Sequence, residues 1–415
     1  MALNTNPNAH LDLYSLISRE EDAATLAWIK KNPRNQLKAE LYVAEHAARL
    51  GGKRKTRDAH AVELYLDENI EILTEKLLQH EYRPSPGEAH IITKPVMREI
   101  FAAPYIDRIV QHYVVDTIYP WWDRRLNHGA SSCRLWKGTS FAVELLDRHI
   151  RQASLNFARP VTVIKMDISG YFMHIDRKKL TERVLWGLER QFAGHYGRRY
   201  EVVKAAIIAI AMDNPIKNVR IRGKLEDWRE LPNDKSLFMA PPGCGLVIGN
   251  VSSQVFSNIY LDSLDRYVSM ELGYKYYGRY VDDFYIVVPD EEVPKVMRDV
   301  EWIDLFLRGL GLKLNRKKTR VIPSWQGVPF LGVVNKNGVL MPDKRVVRNF
   351  RVAAKSYIAG VDVEHVHASL VSYLGLLKNY NSWRVIEDAF RGNKVALGEF
   401  RRVFGEGFGP VEYFA

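Results

Sequence analysis

The sequence predicts an α+β fold built on an antiparallel sheet, and three observations lead to this prediction. A β-branched apolar run, 161–166, ends in Asp167 and is expected to be a buried strand. Two further apolar runs, 274–277 and 284–288, flank Tyr280-Val281-Asp282-Asp283, as in a hairpin of two strands. Segments with helical periodicity surround these strands at 11–29, 59–80, 178–212 and 343–355.

The bulk properties indicate a globular protein with a polyanionic partner. The chain has 415 residues, enough for a large core and two or three subdomains, and its net charge is +11. It contains no run of about eighteen apolar residues and no signal pattern, so we expect no membrane contact and a cytoplasmic location. Cys133 and Cys244 lack neighbours at zinc spacing, so neither a disulfide framework nor a structural zinc is expected.

The acidic residues at the predicted strand ends are the candidate catalytic groups. Asp282 and Asp283 repel each other at the tip of an apolar hairpin, and a divalent cation relieves that cost. Hard oxygen ligands suit Mg²⁺, and two such ions serve nucleotidyl transfer. A solvated turn remains the alternative for this pair taken alone, and a turn or N-cap role is the alternative for Asp167. We predict two Mg²⁺ ions at these carboxylates, with Mn²⁺ as a substitute.

The order of motifs resembles that of reverse transcriptases. Asp167 and the Asp282-Asp283 hairpin resemble motifs A and C of a polymerase palm, and the Gly-rich segment 241–254, which runs into a helix, resembles motif B. The segments 310–319 and 330–334 resemble motif D and the primer grip of motif E. Three further segments resemble the fingers blocks, at 94–100, 107–112 and 131–139. These blocks cover roughly residues 80–335 of the sequence.

This resemblance implies a right-hand polymerase with fingers, palm and thumb. The expected domains are a helical N-terminal extension (1–80), the first part of the fingers (81–160), a palm (161–335) with an inserted fingers segment at about 190–240, and a helical thumb (336–415). Within the insertion, the charged stretch 218–238 is expected to form an exposed hairpin.

The resemblance also implies roles for the metal-binding residues. Asp167 and Asp282 would bridge two Mg²⁺ ions, with Asp283 in support and the main-chain carbonyl of Ile168 on the second ion. Lys318 would be the general acid for the leaving pyrophosphate, and Lys317 is an equal competitor for that role.

Further residues are implied to contact the incoming nucleotide. A guanidinium matches phosphate oxygens, which favours Arg98 as a ligand of the triphosphate. Phe172, five residues after Asp167, would exclude a ribose 2′-hydroxyl and so select dNTPs. Ile248 stands where many reverse transcriptases carry Gln, so base-pair geometry would be checked less tightly. The other residues assigned to nucleotide binding are Lys94, Lys137, Ile168 and Gly249.

A last group is implied to contact the primer and template strands. Tyr280 would pack beneath the primer terminus, and Leu331 with Gly332 would form the primer grip. Four cations share one face of the predicted helix 343–355, where a thumb would follow the nucleic-acid backbone. These cations are Arg345, Arg348, Arg351 and Lys355. A solvated helix face is the alternative for this segment.

The expected function is RNA-directed DNA polymerase, which makes a cDNA product from dNTPs on a template or noncoding RNA. The form Ile-Gly-x-x-x-Ser-Gln at 248–254 is similar to that of diversity-generating retroelement reverse transcriptases of bacteria, which make error-prone cDNA, usually with a basic accessory protein. Leu135-Trp136 departs from that group, in which Lys-Gly residues are usual here. Bacterial antiphage defence reverse transcriptases share the palm motifs and often add helices, so a defence role, with a second polymerase subunit as a partner, is the alternative.

Two other classes fit the sequence less well. A viral RNA-dependent RNA polymerase usually carries Gly-Asp-Asp in motif C and a small or polar residue at the position of Phe172. A catalytically inactive RNA-binding scaffold is expected to have lost at least one metal carboxylate, whereas Asp167, Asp282 and Asp283 are all present.

Overall fold

Three helices begin the described part of the chain. The computed structural model describes residues 32–50, 56–93, 96–217, 219–361, 363–380 and 382–390, together with residue 398. The first helices are α1 (Pro33–Ala48), α2 (Arg57–Leu64) and α3 (Leu66–Leu78). The predicted helix 59–80 is confirmed with one interruption, because Tyr65 leaves the helical conformation at φ −123° and ψ 45°. The predicted helix 11–29 lies outside the described residues.

A small sheet and two long helices follow. Strands β1 (Glu88–Ile92) and β2 (Arg98–Ala102) form an antiparallel hairpin. Helix α4 (Tyr105–Asp123) is buried along most of its length and packs against α1, and helix α5 (Thr139–Ala153) leads to the central sheet. The burial of α4 on several sides explains its run of aromatic and β-branched residues.

The segment between the first central strand and motif B carries the predicted helices. Strand β3 (Val161–Asp167) is followed by α6 (Tyr171–His174), α7 (Arg177–Phe192) and α8 (Arg198–Ala211), which confirms the helical prediction for 178–212. Asp176 caps α7 by accepting hydrogen bonds from the first turn.

The prediction of an exposed hairpin at 218–238 is wrong. Strand β4 (Arg220–Ile221) instead adds to β1 in parallel, and three short 3₁₀ turns follow it. The physical reason is Glu99, a buried carboxylate that accepts hydrogen bonds from Trp228 Nε1 at 2.6 Å, from Ser236 Oγ and from Leu237 N–H. This contact fixes the segment onto the sheet of β1 and β2.

The central sheet is antiparallel, as predicted. Its remaining strands are β5 (Tyr277–Tyr280), β6 (Asp283–Pro289) and β7 (Arg320–Pro323), and the order is β5-β6-β3-β7. Strand β5 begins at Tyr277, three residues later than the apolar run suggested. Tyr274 instead closes the preceding helical turn, because its N–H donates to Val268 O.

The helix after motif B packs into the same core. It runs as α9 (Val251–Tyr260), α10 (Asp262–Arg266) and a π-helical turn, Tyr267–Glu271. The helical pattern predicts one apolar face formed by Val251, Val255 and Ile259 and joined by Leu264 and Val268, and all of these except the half-buried Val251 are buried. This helix and α4 enclose the largest apolar cluster of the described chain.

The C-terminal part of the described chain contains a second small sheet and four helices. Helix α11 (Val293–Gly309) precedes β7, and the strands β8 (Val328–Phe330), β9 (Val333–Lys336) and β10 (Val339–Pro342) form an antiparallel meander. Helices α12 (Lys344–Ile358), α13 (Val363–Leu377) and α14 (Trp383–Ala389) follow. Within the described ranges, none of the helices combines the length and hydrophobicity needed to span a bilayer.

Candidate active site

The antiparallel register brings the two acidic motifs together. Asp167 at the end of β3 lies directly opposite Asp283 at the start of β6, where cross-strand Cβ atoms are about 5 Å apart. The N–H of Ile168 donates to the main-chain oxygen of Asp282 at 3.2 Å, so the tip of the hairpin lies against the end of β3. Residues far apart in sequence therefore form one acidic site.

Burial and mutual repulsion perturb these carboxylates. Burial, and then the charge of Asp167, raise the pKa of Asp282 to about 6. Burial also raises the pKa of Asp283, although the nearby Lys165 opposes that change. Lys165 Nζ lies 3.1 Å from Asp283 Oδ2. The site holds acidic groups whose charged forms need a nearby cation.

Lys318 supplies a second ammonium to the site. Its Nζ lies 2.9 Å and 3.0 Å from the two carboxylate oxygens of Asp167. Partial burial alone would lower the pKa of Lys318, but the hydrogen bond to Asp167 and the other two acids raise it. The adjacent Lys317 is exposed, and the described residues show no contact of its ammonium with the acids. The sequence did not distinguish the two lysines, but in the structure Lys318 contacts Asp167 and Lys317 does not.

The loop that carries Lys318 is fixed to the end of β3 by groups that sequence reasoning missed. Asn315 donates to Asp167 twice, from its main-chain N–H to the carbonyl oxygen at 2.7 Å and from Nδ2 to Oδ1 at 3.2 Å. Asp304 on α11 accepts a hydrogen bond from Leu314 N–H at 2.9 Å. Only the polar Asn315 within motif D could have signalled this contact in advance.

The donor set fits Mg²⁺ shared with a substrate. Within the described ranges, no three Asp, Glu, His or Cys side chains converge as a complete ligand set. Mg²⁺ commonly takes one or two carboxylates and completes its coordination with waters and substrate phosphates. Asp167 and Asp283 lie opposite each other across the strands. Each forms an ion pair with a lysine ammonium, Asp283 with Lys165 and Asp167 with Lys318.

A buried polar network holds the hairpin turn. Val281 has a φ of +57°, a strained value for a β-branched residue. Its carbonyl accepts from Arg279 Nη1 at 2.9 Å, and its N–H donates to Ser132 Oγ at 3.0 Å. Arg279 and Asp265 are both fully buried and form a bidentate pair with two distances of 2.6 Å. Asn258 joins the network through Ser132 and Arg279. Sequence analysis did not identify this network.

The predicted nucleotide-contact residues Phe172 and Ile248 pack against the same small apolar cluster. Motif B is fixed beside them, since Leu246 N–H donates to Phe172 O at 2.8 Å and Phe101 N–H donates to Ile248 O at 2.9 Å. Gly249 has a φ of +130°, and a Cβ there would lie 2.6 Å from Phe101 O. A glycine is therefore required at this position.

The predicted triphosphate ligands have no described contact with the acidic site. Arg98 is exposed at the start of β2, opposite Ile92 in the hairpin. Lys94 lies outside the described residues. Lys137 donates from Nζ to His128 O at 2.7 Å, and burial followed by the charge of Arg134 lowers its pKa to about 8. The described contacts do not bring Lys137 to the acidic site.

Tyr280 lies in one apolar cluster with Phe330 and with Leu331 of the predicted primer grip. Leu331 (φ +50°) and Gly332 (φ +87°) join β8 to β9 in a two-residue turn, and positive φ at both positions is the signature of a type I′ hairpin. The carbonyl of Gly332 accepts from Asp343 N–H at 2.8 Å, which links this turn to the start of α12.

Helix α12 has the two faces that its sequence predicted. Its apolar face is buried against α13 and α14, and four cations are exposed. The exposed cations are Arg345, Arg348, Arg351 and Lys355. They lie on the helix that begins directly after the sheet of β8, β9 and β10.

Comparison with known proteins places this geometry in a family. Residues 93–335, more than half of the chain, match the model of the reverse transcriptase (RNA-dependent DNA polymerase) family. The chain therefore belongs to that family, whose members generally use divalent metals such as Mg²⁺. Comparison with curated proteins gives no match.

Similar solved structures include three of telomerase. Apo telomerase from Candida tropicalis is 12% identical, over 74% of this chain and 59% of that chain, with a TM-score of 0.43. The Candida tropicalis enzyme in complex with a TWJ fragment of telomeric RNA is 14% identical, over 80% and 60% of the chains, also at 0.43. The Candida albicans complex with that fragment is 13% identical, over 82% and 62%, at 0.42. The chain spans about three fifths of these telomerase chains.

Proposed function

We propose that the protein is an RNA-directed DNA polymerase that joins dNTPs to a primer by two-metal nucleotidyl transfer. The observation that carries the proposal is the register of β3 and β6, which sets Asp167 opposite Asp283 with Asp282 at the adjoining turn. In a member of the reverse transcriptase family, this arrangement supports an intact catalytic centre rather than a scaffold that has lost its acids.

The three carboxylates and the carbonyl of Ile168 are proposed to hold two Mg²⁺ ions, or Mn²⁺ in their place. Bound ions would activate the primer 3′-hydroxyl and neutralise charge on the triphosphate. Lys165 orients Asp283 by a direct ion pair, and Asn315 orients Asp167. Lys318, already at Asp167, is placed to donate a proton to the leaving pyrophosphate.

The nucleotide is proposed to bind between the β1–β2 hairpin and motif B. Arg98 and Lys94 would bind the triphosphate, with Lys137 as a third candidate. Phe172 would exclude the 2′-hydroxyl. The side chain of Ile248 offers no hydrogen bond to the nucleotide, and Gly249 keeps the motif B backbone against β2.

The nucleic-acid strands are proposed to lie along the palm and the C-terminal helices. Tyr280 would support the primer terminus next to the Leu331–Gly332 turn, and the exposed cations of α12 would contact phosphates. The proposed domains are an extension (1–80), fingers (81–160 and about 190–240), a palm (161–335) and a thumb (336–415).

Primer extension on an RNA template tests the proposal. The full-length protein should incorporate dNTPs in the presence of Mg²⁺ and discriminate against rNTPs. Asp282→Ala combined with Asp283→Ala should abolish incorporation and leave RNA affinity largely intact, because the acids face metals rather than the phosphate backbone. Undiminished synthesis by the double variant would refute the site assignment.

The proposed biological role is cDNA synthesis on a dedicated RNA in a bacterial retroelement of the diversity-generating type, in the cytoplasm and with an accessory protein. Ile248 supports this role, because an apolar side chain constrains base-pair geometry weakly. Sequencing of the cDNA should show errors concentrated at template adenines, and Ile248→Gln should reduce them. An unchanged error spectrum would contradict the role assigned to Ile248.

The alternative role is antiphage defence by DNA synthesis on a noncoding RNA or without a template, with a second polymerase subunit as a candidate partner. The helices α1–α3 favour it, since α1 and α2 pack onto α4, and α3 packs onto α1, as an added helical layer. Expression in a phage-sensitive bacterium separates the roles. Protection that the Asp282→Ala variant loses would support defence, and plating unchanged by the active enzyme would favour diversification.

A further inference from the structure

Trp136 is the most exposed large apolar side chain in the described part of the chain, at 77%. It lies in the loop before α5 and has a φ of +61°, a left-handed conformation that bulky residues rarely adopt. Exposure of an indole and backbone strain at the same residue are both unfavourable. A residue that combines them is expected to serve a ligand.

The loop that presents Trp136 is held rigidly. The buried guanidinium of Arg134 donates to Asp123 Oδ1, to Asp123 O and to Asn127 O, each at 2.7 Å. The next residue, Leu135, donates its N–H to Tyr119 Oη at 2.9 Å. Because the two residues before Trp136 are fixed, its exposed indole is a preformed surface.

Both ends of this loop contact the catalytic hairpin. Ser132 Oγ accepts a hydrogen bond from Val281 N–H at 3.0 Å, and Thr139 Oγ1 lies 3.4 Å from Tyr280 Oη. Trp136 is three residues from Thr139, so its backbone lies within about 11 Å of that contact. The loop that carries the exposed indole is therefore joined, through Thr139, to the residue proposed to support the primer terminus.

Lys137, the residue after Trp136, belongs to a cluster of cationic and aromatic side chains. Phe141, one turn into α5, has Lys137 Nζ 5.1 Å and the Arg148 guanidinium carbon 5.7 Å from its ring centroid. The His128 ring lies 5.4 Å from the same ring. Asp147, an acid of the same helix, already binds Arg151 and Asn335. We call the five residues His128, Trp136, Lys137, Phe141 and Arg148 the Trp136 patch.

We propose that the Trp136 patch binds a nucleic-acid strand at the mouth of the site, with Trp136 stacked on a base and Lys137 and Arg148 on the flanking phosphates. Aromatic rings alternating with cations are the usual surface for a single strand, since rings stack on bases and cations bind phosphates. The inference rests on the proposed polymerase function. It assigns Lys137 to a strand phosphate in place of the triphosphate.

Binding measured without catalysis tests the proposal. The full-length protein is titrated into a fluorescein-labelled RNA–DNA hybrid with a single-stranded extension, without Mg²⁺ or dNTPs, and Kd is read from anisotropy. We expect Trp136→Ala to raise Kd about tenfold, Trp136→Phe to raise it less than about threefold, and Trp136→Leu to match Trp136→Ala. Trp302→Ala, which removes a 57%-exposed indole from α11, is the control and should leave Kd unchanged.

A strand with an abasic site identifies the stacked base. For one abasic position, the wild-type affinity should fall to that of Trp136→Ala, and the variant should show no further loss. Equal Kd values for wild type and Trp136→Ala, or for the Phe and Leu variants, would overturn the proposal, as would a wild-type protein that does not bind the hybrid. If binding depends on Trp136 but no dNTP is incorporated, the polymerase function on which the inference rests fails, whereas strand binding by the Trp136 patch is retained.

Discussion

Lys318 and Lys317 are neighbours with different surroundings, and only Lys318 contacts Asp167. We predict that Lys318→Ala lowers kcat about 100-fold with little change in the KM for dNTPs, because a general acid acts in the transition state. Lys317→Ala is the matched control and should change kcat less than about twofold. Single-nucleotide incorporation measures both. A larger loss from Lys317→Ala would reverse the assignment.

Asp282, proposed as a metal ligand, also affects the stability of the protein through its pKa. The folded-state pKa is about 6 against an ordinary value of 3.8, so the folded protein binds more protons between these values. The free energy of unfolding therefore falls as the pH rises from about 4 to 6, by ~3 kcal/mol at most. Asp282→Asn should then unfold at a higher temperature than wild type at about pH 8 without metal, and at a similar temperature near pH 4.

Thermal melts at the two pH values check this prediction. Glu291→Gln is a control that removes a carboxylate from an exposed side chain, and it should show no pH-dependent difference from wild type. A wild-type protein more stable than Asp282→Asn at about pH 8 would show that burial does not penalise the charged carboxylate.

The hairpin that carries Asp282 is held by a buried ion pair behind it. Asp265 and Asp262 are both fully buried on α10, but the partner of Asp265 is Arg279, which also bonds Val281, whereas Asp262 pairs with Arg183 on α7. We predict that Arg279→Lys lowers kcat about 100-fold, because lysine cannot hold both partners and the acids shift. Arg183→Lys should cost stability and change kcat less than about threefold.

Melting temperature and kcat, measured together for both variants, separate positioning from stability. Loss of kcat in proportion to loss of stability in both variants would mean that the Arg279 network is merely structural.

The elements that can be predicted from the sequence are those marked by a local pattern of apolar residues. The runs around Asp167 and Asp282 predicted the strands, and the helical spacing after motif B predicted an apolar face of which all members but the half-buried Val251 are buried. The hairpin predicted at 218–238 failed because a distant carboxylate, Glu99, fixes that segment.

The polar groups that support the site also pair with residues that are distant in the sequence. Arg279 finds Asp265, and Asp167 finds Asn315, only when the chain is folded, so no local periodicity signals these pairs. The site acids could be predicted because strand ends and charge repulsion mark them in the sequence. Their supports could not be predicted, because a buried ion pair looks like two ordinary surface charges.

The whole molecule is basic, with a net charge of +11, and much of its affinity for nucleic acid should be electrostatic. We predict that Arg345→Gln, Arg348→Gln and Arg351→Gln together reduce the slope of log K against log salt by about 2, because each lost phosphate contact removes ~0.7–0.9. Anisotropy titrations at several salt concentrations measure the slope.

Replacement of three exposed cations elsewhere, Lys76, Lys178 and Arg298, is the control for the change in net charge. If both triple variants change the slope equally, α12 has no specific place in the strand path.

The central claim is that acids from separate strands act on one pair of metal ions, and a double-mutant cycle on Asp167 and Asp282 tests it most directly. Incorporation of one dNTP is timed for wild type, Asp167→Ala, Asp282→Ala and the double variant. Groups that act as a unit are not additive, so each single variant should lose at least about 1,000-fold and the double variant no more than either. Losses that multiply in the double variant, or a single variant with wild-type rate, would contradict a shared site.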